Sequence, residues 1–119
     1  MPWPVEVTND FEAWYGSLGE IDREAVNAAV DALEKRGPSL GRPLVGEIAG
    51  SRHGHLKELR IRTIRILFCF DPRRTAILLI GGDKRGAWKA WYREAIPLAD
   101  ELYDEYLAEL CREGLIPEE

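Results

Sequence analysis

Apolar and polar residues change their spacing along this chain, and the changes mark the predicted elements. Near the N-terminus Val5 and Val7 alternate with polar neighbours, which predicts a short strand because successive strand side chains point to opposite faces. Asn9 or Asp10 can then cap a brief helix. The aromatic side chains that this helix should bury are Phe11, Trp14 and Tyr15.

A second, longer helix is predicted after a glycine-containing break at residues 16–19. Its apolar side chains recur every three or four residues, at Val26, Ala29, Val30 and Leu33. Asp22 is expected to cap its start, and Gly37-Pro38 should end it. Residues 38–54 then hold two prolines and four glycines, which predicts a connecting loop. A loop of this length is typical of a mobile or functional segment.

Period-two alternation begins at His55 and predicts a strand. Leu59 and Ile61 face one way. The polar side chains that face the other way are Glu58, Arg60 and Arg62. One face of this strand is therefore expected to be cationic.

An apolar strand follows over Ile64 to Phe70, interrupted only by Arg65. Asp71-Pro72-Arg73-Arg74 has Asp and Pro at the positions that a type I turn prefers. The turn predicts a hairpin whose partner strand runs from Thr75 to Ile80. Gly81-Gly82-Asp83 follows this strand and is expected to terminate it. The strands of this region are therefore expected to be antiparallel.

The C-terminal region is predicted to be helical. Trp88, Trp91 and Tyr92 have the spacing of one helical turn, and Pro97 is expected in the first turn of a closing helix. The apolar stripe of that helix is Leu98, Leu102, Tyr106 and Leu110. The elements together predict one α+β domain over residues 1–119, an antiparallel sheet with the N-terminal helices packed on one face and a C-terminal helix.

Composition narrows the class of protein. With 119 residues, 45% of them hydrophobic, the chain is long enough for one buried core. No apolar run approaches the roughly 20 residues of a membrane span. Residues 1–6 lack the basic start and the apolar middle of a secretory signal, so the protein is expected to stay in the cytoplasm. Cys69 and Cys111 fit that location as reduced thiols.

Charge is distributed unevenly along the chain. The net charge is −5, but residues 51–93 carry 11 basic and 3 acidic side chains, whereas residues 94–119 carry 1 basic and 9 acidic ones. Proteins bind a phosphate backbone mainly through Lys and Arg. The middle third therefore predicts a cationic surface. The alternative is a surface of ion-paired charges that binds no ligand.

Arg65 is the most informative single residue. A guanidinium group inside so apolar a strand is costly to desolvate unless it meets a carboxylate or an anionic ligand. Glu58 on the neighbouring strand could be that carboxylate, in which case the pair is structural. The other arginines of this region lie on an exposed strand face or at a turn tip, where solvated charge is common.

Spacing excludes several kinds of site. Lys84-Arg85 follows two glycines, but the motif is not that of a phosphate-binding loop. His53 and His55 lack a third ligand for a catalytic zinc ion, so no metal site is predicted. No Ser-His-Asp or Cys-His arrangement is legible. The aromatic cluster of the C-terminal region favours a core or a partner interface over stacking on single-stranded RNA.

Three stretches together resemble a known family. They are residues 55–60 with Arg62, residues 63–68, and residues 77–80 leading into residues 82–84. In this order and spacing they resemble the RelE-type toxins of bacterial toxin–antitoxin systems, in particular the HigB-like, phage-derived branch. The order of the predicted elements agrees with that family over nearly the whole chain.

The resemblance implies an enzyme that cleaves messenger RNA without a metal or cofactor and so inhibits translation, usually on the ribosome. In such toxins a ribose 2′-hydroxyl attacks its own adjacent phosphate. The match assigns Arg65 to the developing phosphorane charge, and Lys57, Arg60 and Lys84 to orienting the phosphate and exchanging protons. Which of the two lysines acts as the base stays open. Tyr92, or a histidine such as His55, could supply a proton or stack on a base.

The resemblance also implies RNA contacts and partners. The basic residues implied in RNA binding are Arg52, His55, Arg62, Arg73, Arg74 and Arg85. A nuclease of this kind requires the four catalytic cations to converge in one pocket. The implied partners are mRNA, the ribosome and a cognate antitoxin, a helix-turn-helix protein that would cover the basic strands. Two alternatives stay open, a ParE-like inhibitor of DNA gyrase with the same fold and a non-catalytic protein-binding module.

Overall fold

The computed structural model describes residues 2–83, 85–86 and 88–117, which form five strands and three α-helices. In chain order the elements are β1 (Val5–Val7), α1 (Asn9–Gly16), α2 (Glu20–Arg36), a 3₁₀ turn (Gly37–Ser39), β2 (Val45–Glu47), β3 (Lys57–Ile61), β4 (Ile64–Phe70), β5 (Ala76–Asp83) and α3 (Trp88–Arg112).

The strands form one sheet in the order β1-β5-β4-β3-β2. Strands β2 to β5 pair antiparallel, and Arg60 in β3 lies opposite Arg65 in β4. Strand β1 pairs with β5 in parallel, with Val5 opposite Ala76. The predicted α+β architecture is confirmed, but the sheet is mixed rather than wholly antiparallel. A parallel pair cannot be joined by a short turn, so β1 carries no local sign of its partner.

Each face of the sheet carries its own core. On one face Leu59 and Phe68 are fully buried against α1 and α2. On the other face Leu67 and Ile77 are fully buried against α3. The N-terminal helices therefore share one face, as predicted, and the C-terminal helix covers the opposite one.

Helix α1 begins at a different cap from the one predicted. Thr8, rather than Asn9 or Asp10, caps it, because the Thr8 Oγ1 accepts a hydrogen bond from the N–H of Phe11 at 3.0 Å. The same hydroxyl donates to the carbonyl of Leu79 at 2.6 Å. One buried side chain thus begins the helix and ties it to β5, which a residue inside the helix could not do.

Helix α2 ends where the sequence predicts but begins earlier. It starts at Glu20, so Asp22 lies in its first turn, where a negative charge still interacts favourably with the helix dipole. Gly37 follows its last residue with a φ of +54°. A Cβ on Gly37 would lie 2.4 Å from the indole of Trp3, so this position needs glycine for its backbone and for its contact.

The predicted loop over residues 38–54 contains a short strand, β2, which pairs with β3. Its three residues are too few to show an alternation, and Gly46 at its centre is unusual in strands. The guanidinium group of Arg60 packs over Gly46, where a Cβ would lie 2.3 Å from Nη2. Gly46 therefore obscures β2 in the sequence pattern, and its lack of a side chain leaves space for the guanidinium group of Arg60.

Strand β5 continues through Gly81-Gly82 to Asp83, beyond its predicted end at Ile80. A Cβ on Gly81 would lie 2.4 Å from the indole of Trp14, and one on Gly82 would lie 2.1 Å from Nε1 of Trp91. These glycines therefore allow an indole ring to pack on each face of the strand.

Helix α3 runs without interruption from Trp88 to Arg112, so Pro97 lies within its third turn rather than at its start. Its buried side chains include Ala95, Ala99, Leu102, Tyr103 and Leu110. The early start brings Trp88 and Tyr92 beside β3 and β4 and places Trp91 on β5. Across the described part of the chain, no helix combines the length and apolarity that a membrane span requires.

Candidate functional site

An open pocket lies between β3, β4 and the first turns of α3. Its volume is about 570 Å³, and its lining residues are Ile48, Ala49, Glu58, Arg60, Arg65, Trp88, Tyr92 and Ile96. A second groove of about 520 Å³ lies between β1, α1 and α2, but mainly apolar side chains line it. The first pocket is the one that holds predicted site residues together, namely Arg60, Arg65 and Tyr92.

Glu58 lies at the centre of this pocket and is only 4% exposed. Its Oε2 accepts a hydrogen bond from Nε of Arg60 at 3.0 Å, and its Oε1 accepts one from the hydroxyl of Tyr92 at 2.5 Å. Nε of Arg65 lies 3.7 Å from Oε1, at ion-pair distance. A buried carboxylate requires such partners to offset its lost hydration.

Strand geometry brings these side chains together. Glu58 and Arg60 are two residues apart in β3 and so share a face of the sheet. Arg65 lies opposite Arg60 on β4, which sets two like charges against each other. The carboxylate beside them offsets their repulsion. The pocket therefore holds a compact group of one negative and two positive charges.

Arg65 is fixed by backbone groups as well as by the carboxylate. Its side chain is 11% exposed, and Nη1 donates hydrogen bonds to the carbonyls of Arg62 and Ile64 at 2.5 and 2.9 Å. Nε is buried and makes no hydrogen bond within the described residues. The structural pair with Glu58 that the sequence suggested is therefore present, and the Glu58 carboxylate is the anionic group next to this buried donor.

Tyr92 keeps its proton at neutral pH. Burial raises the pKa of its hydroxyl to about 12, and the hydrogen bond to the Glu58 carboxylate adds to the rise. Its ring stands edge-on between two indoles, with centroids 5.0 Å from Trp91 and 6.1 Å from Trp88. The phenol is therefore held in one orientation, with its hydroxyl directed at the carboxylate.

The predicted catalytic residues are only partly brought together. Those that line the pocket are Arg60, Arg65 and Tyr92. Lys57 precedes Glu58 in β3 and points to the opposite face, where its Nζ lies 5.8 Å from the ring centroid of Phe70. The expected convergence of Lys57 with the arginines is wrong, because adjacent strand residues face opposite sides. Lys84 lies outside the described residues.

None of the six residues predicted to bind RNA lines this pocket. Four pair with carboxylates of the chain itself: Arg52 with Asp104 at 2.6 Å, Arg62 with Asp22 at 3.0 Å, Arg73 with Asp71 at 2.9 Å and Arg85 with Asp83 at 3.0 Å. Arg74 lies over the ring of Trp3 at 5.9 Å, and the ring of His55 lies 6.1 Å from that of Tyr103. Their role in RNA binding stays a prediction.

The loop before β3 is fastened to α3 by two carboxylates. Asp100 accepts hydrogen bonds from Oγ of Ser51 at 2.6 Å and from the N–H of Arg52 at 3.0 Å. His53 contacts Asp104 at 2.9 Å, and hydrogen bonds from Arg52 and His53 hold the pKa of the Asp104 carboxyl below its usual value.

In the described ranges no three His, Cys, Asp or Glu side chains are arranged to hold a metal ion.

Glu58 and Trp88 belong to the pocket although neither was predicted as a site residue. Glu58 was considered only as the structural partner of Arg65. Its position two residues before Arg60 was nonetheless a signal, since the two must share a face. Trp88 was grouped with its aromatic neighbours as part of a core or of a partner interface, and at 50% exposed it does not lie in the core. Helical spacing groups aromatic side chains without showing which of them the sheet covers.

Comparison with known proteins assigns the chain to a family. The family model described as "Phage derived protein Gp49-like (DUF891)" matches residues 13–104. This chain belongs to the Gp49-like family. Two relatives from Mycobacterium tuberculosis strain H37Rv are named as toxins. HigB2 is 46% identical over 112 residues, which are 90% of this chain and 55% of HigB2. HigB3 is 48% identical over 99 residues, which are 82% of this chain and 87% of HigB3.

This Gp49-like chain thus spans little more than half the length of HigB2 and most of HigB3. Its fold is that of the RelE toxins. RelE in the crystal structure of the archaeal RelE–RelB complex from Pyrococcus horikoshii OT3 superposes with a TM-score of 0.56, at 16% identity, over 73% of this chain and all of that one. The resemblance to the HigB-like branch is confirmed, because both relatives are named as HigB toxins.

Proposed function

We propose that this chain is the toxin of a type II toxin–antitoxin system and that it blocks translation by cutting mRNA in the pocket around Glu58. The observation that carries the proposal is a buried carboxylate that shares an open pocket with two guanidinium groups and a protonated phenol. Phosphodiester cleavage needs a base, an acid and stabilisation of negative charge, and these groups can supply all three.

In the proposed reaction Glu58 takes the proton of a ribose 2′-hydroxyl, and O2′ attacks the adjacent phosphorus. The P–O2′ bond forms as the P–O5′ bond breaks, and Tyr92 gives its proton to the departing 5′-oxygen. Arg60 and Arg65 stabilise the negative charge of the phosphorane. The products are a 2′,3′-cyclic phosphate and a 5′-hydroxyl. Glu58 then returns a proton to Tyr92 across their 2.5 Å hydrogen bond.

This scheme gives the role of base to Glu58 instead of Lys57. Lys57 lies on the far face of the sheet, whereas Glu58 already accepts a hydrogen bond from the proposed acid. Side chains supply both proton transfers and the charge stabilisation, so we propose that no metal or cofactor takes part.

The proposed partners are mRNA on the ribosome and a cognate antitoxin. RelE of Pyrococcus horikoshii was crystallised with RelB, and RelE has the same fold as the chain described here. The extension of that partnership to this chain is an analogy between folds. We propose that the antitoxin is a helix-turn-helix protein that covers β3 and β4.

Mapping of transcript 5′ ends after induced expression tests the proposal. The unchanged protein should give cuts in phase with codons. Arg65→Ala and Glu58→Gln should each reduce cleavage by about 10²–10³-fold, because removal of one group that stabilises a transition state typically has that effect. Arg112→Ala is the matched control, since Arg112 is exposed at the far end of α3, where it pairs with Glu109. It should cut normally.

A folded Arg65→Ala protein that cuts mRNA at the unchanged rate would overturn the assignment. DNA damage with intact transcripts would indicate gyrase inhibition, which the ParE-like alternative predicts. Growth arrest with neither cleavage nor damage would leave a protein-binding module.

A further inference from the structure

Trp88 presents a large apolar surface at the mouth of the pocket. It is 50% exposed, and the other exposed large hydrophobic side chains of the described residues, Val7, Ile21 and Leu115, are aliphatic. Trp91, one turn later, instead packs into the core beneath α3. Trp91 is partly buried against that core, whereas the core does not cover Trp88.

The indole of Trp88 is held by its neighbours. The ring of Tyr92 stands edge-on to it, with centroids 6.1 Å apart and an interplanar angle of 81°. Nζ of Lys89 lies 5.7 Å from its ring centroid. Tyr92 is itself fixed by its hydrogen bond to Glu58. A ring constrained in this way loses little further freedom when a ligand stacks on it.

Trp88 lines the same pocket as the two guanidinium groups. A nucleotide whose phosphate lies between Arg60 and Arg65 therefore has an aromatic wall within the same cavity of about 570 Å³. Proteins that bind single-stranded nucleic acid combine cations that hold the backbone with aromatic side chains on which the bases stack. The pocket has both components side by side.

We infer that Trp88 is a stacking platform for a nucleobase next to the scissile phosphate, a subsite separate from the groups that perform the cleavage. The inference rests on the proposed function, because that function makes single-stranded RNA the substrate. Stacking accepts every base, since each has a π face, so the platform adds affinity with little sequence selection. Trp88 is thus a substrate-binding residue and takes no part in proton transfer.

The test measures binding of short single-stranded RNA by the Glu58→Gln protein, which binds without cutting. Two labelled probes are used, an oligoadenylate and an abasic ribose-phosphate chain of equal length. Addition of Trp88→Leu keeps an apolar side chain but removes the π face. It should weaken binding of oligoadenylate about tenfold and leave binding of the abasic chain unchanged. Trp88→Phe should restore most of the loss.

Ile21→Ala is the matched control, because Ile21 is a more exposed apolar residue on α2, away from the pocket. It should bind both probes as the parent protein does. Equal binding of oligoadenylate by Trp88→Leu and its parent would overturn the inference, and so would an equal loss of affinity for both probes. Base-dependent binding without cleavage by the unchanged protein would reject the proposed nuclease alone. Normal cleavage with no Trp88-dependent affinity would reject the platform alone.

Discussion

Glu58 is the residue on which the pocket depends, because three other side chains take their positions from it. Arg60, Arg65 and Tyr92 all direct a polar atom at its carboxylate. Loss of the carboxylate would leave two guanidinium groups opposite each other in a largely buried site, which is costly. Replacement by glutamine keeps the shape but removes the charge that offsets the two guanidinium groups, so loss of cleavage by Glu58→Gln counts as chemistry only when its circular dichroism and unfolding midpoint show a folded protein.

The pH titration of Tyr92 should report its contact with Glu58. Burial and the carboxylate raise its pKa to about 12 from a reference of 10.0, so the folded protein holds this proton more tightly than the unfolded chain. The resulting stability is present below pH 10.0 and is lost as the pH rises through about 12. Difference absorbance against Tyr92→Phe should show this late transition. In Glu58→Gln it should move to lower pH, and an unmoved transition would show that burial alone sets it.

The features of the site differ in how far the sequence could predict them. A partner for Arg65 was predictable, because the cost of desolvating a guanidinium group depends on its own strand. The face of the sheet on which Lys57 lies was also predictable from the alternation of β3. The family resemblance, however, assigns roles without regard to which face a strand residue occupies. The exposure of Trp88 was not predictable, because it depends on which side of the helical turn meets β5.

At the scale of elements, contacts distant in sequence decide where β5 ends. Gly81-Gly82 reads as a strand terminus, because glycine has a low intrinsic preference for strands. The indoles of Trp14 and Trp91 pack on these glycines and continue the strand. The strands β1 and β4 and the turn after β4 were predictable from local pattern and turn chemistry. The strand β2 and the parallel pairing of β1 were not, because each depends on a partner elsewhere in the chain.

Gly82→Ala should destabilise the fold. A Cβ there would lie 2.1 Å from Nε1 of Trp91, and neither the strand backbone nor the packed indole can move without disturbing the core beneath α3. Overpacking of this kind typically costs about 1–3 kcal/mol in the free energy of unfolding. Urea denaturation followed by circular dichroism measures it.

Gly16→Ala is the control for Gly82→Ala, because no atom lies within 4 Å of the added Cβ. It should leave the midpoint of unfolding unchanged or raise it slightly, since Gly16 is the last residue of α1. A Gly82→Ala protein as stable as the parent would show that the indole of Trp91 is not held against β5.

For the whole molecule, the cationic surface depends more on which basic side chains pair with carboxylates than on how many basic side chains there are. Residues 51–93 hold 11 of the 16 basic side chains, yet several of these arginines contact carboxylates from other parts of the chain. Composition counts the charges but does not show their partners. The cationic surface that the sequence predicts is thereby reduced, and the arginines of residues 51–93 that line the pocket are Arg60 and Arg65.

The salt dependence of RNA binding should therefore be shallow. If two guanidinium groups each neutralise one phosphate, the slope of log K against log salt is about −1.4, because each contact to single-stranded nucleic acid contributes about −0.7. Fluorescence anisotropy over a range of salt concentrations measures the slope with the Glu58→Gln protein. Arg60→Ala should reduce its magnitude by about 0.7, whereas Arg73→Ala should leave it unchanged. A slope steeper than about −4 would mean that the paired arginines also bind phosphate.

The order in which the chain supplies the walls of the pocket has a consequence for its synthesis. Both arginines and the carboxylate are in β3 and β4, but the phenol and the exposed indole come from α3, near residue 90. A translation product that stops before Trp88 has the charges of the pocket without its proton donor, and the apolar sheet face that α3 covers lies bare. If the chain acts as proposed, a nascent copy therefore cannot cut mRNA until α3 has emerged from the ribosome that makes it.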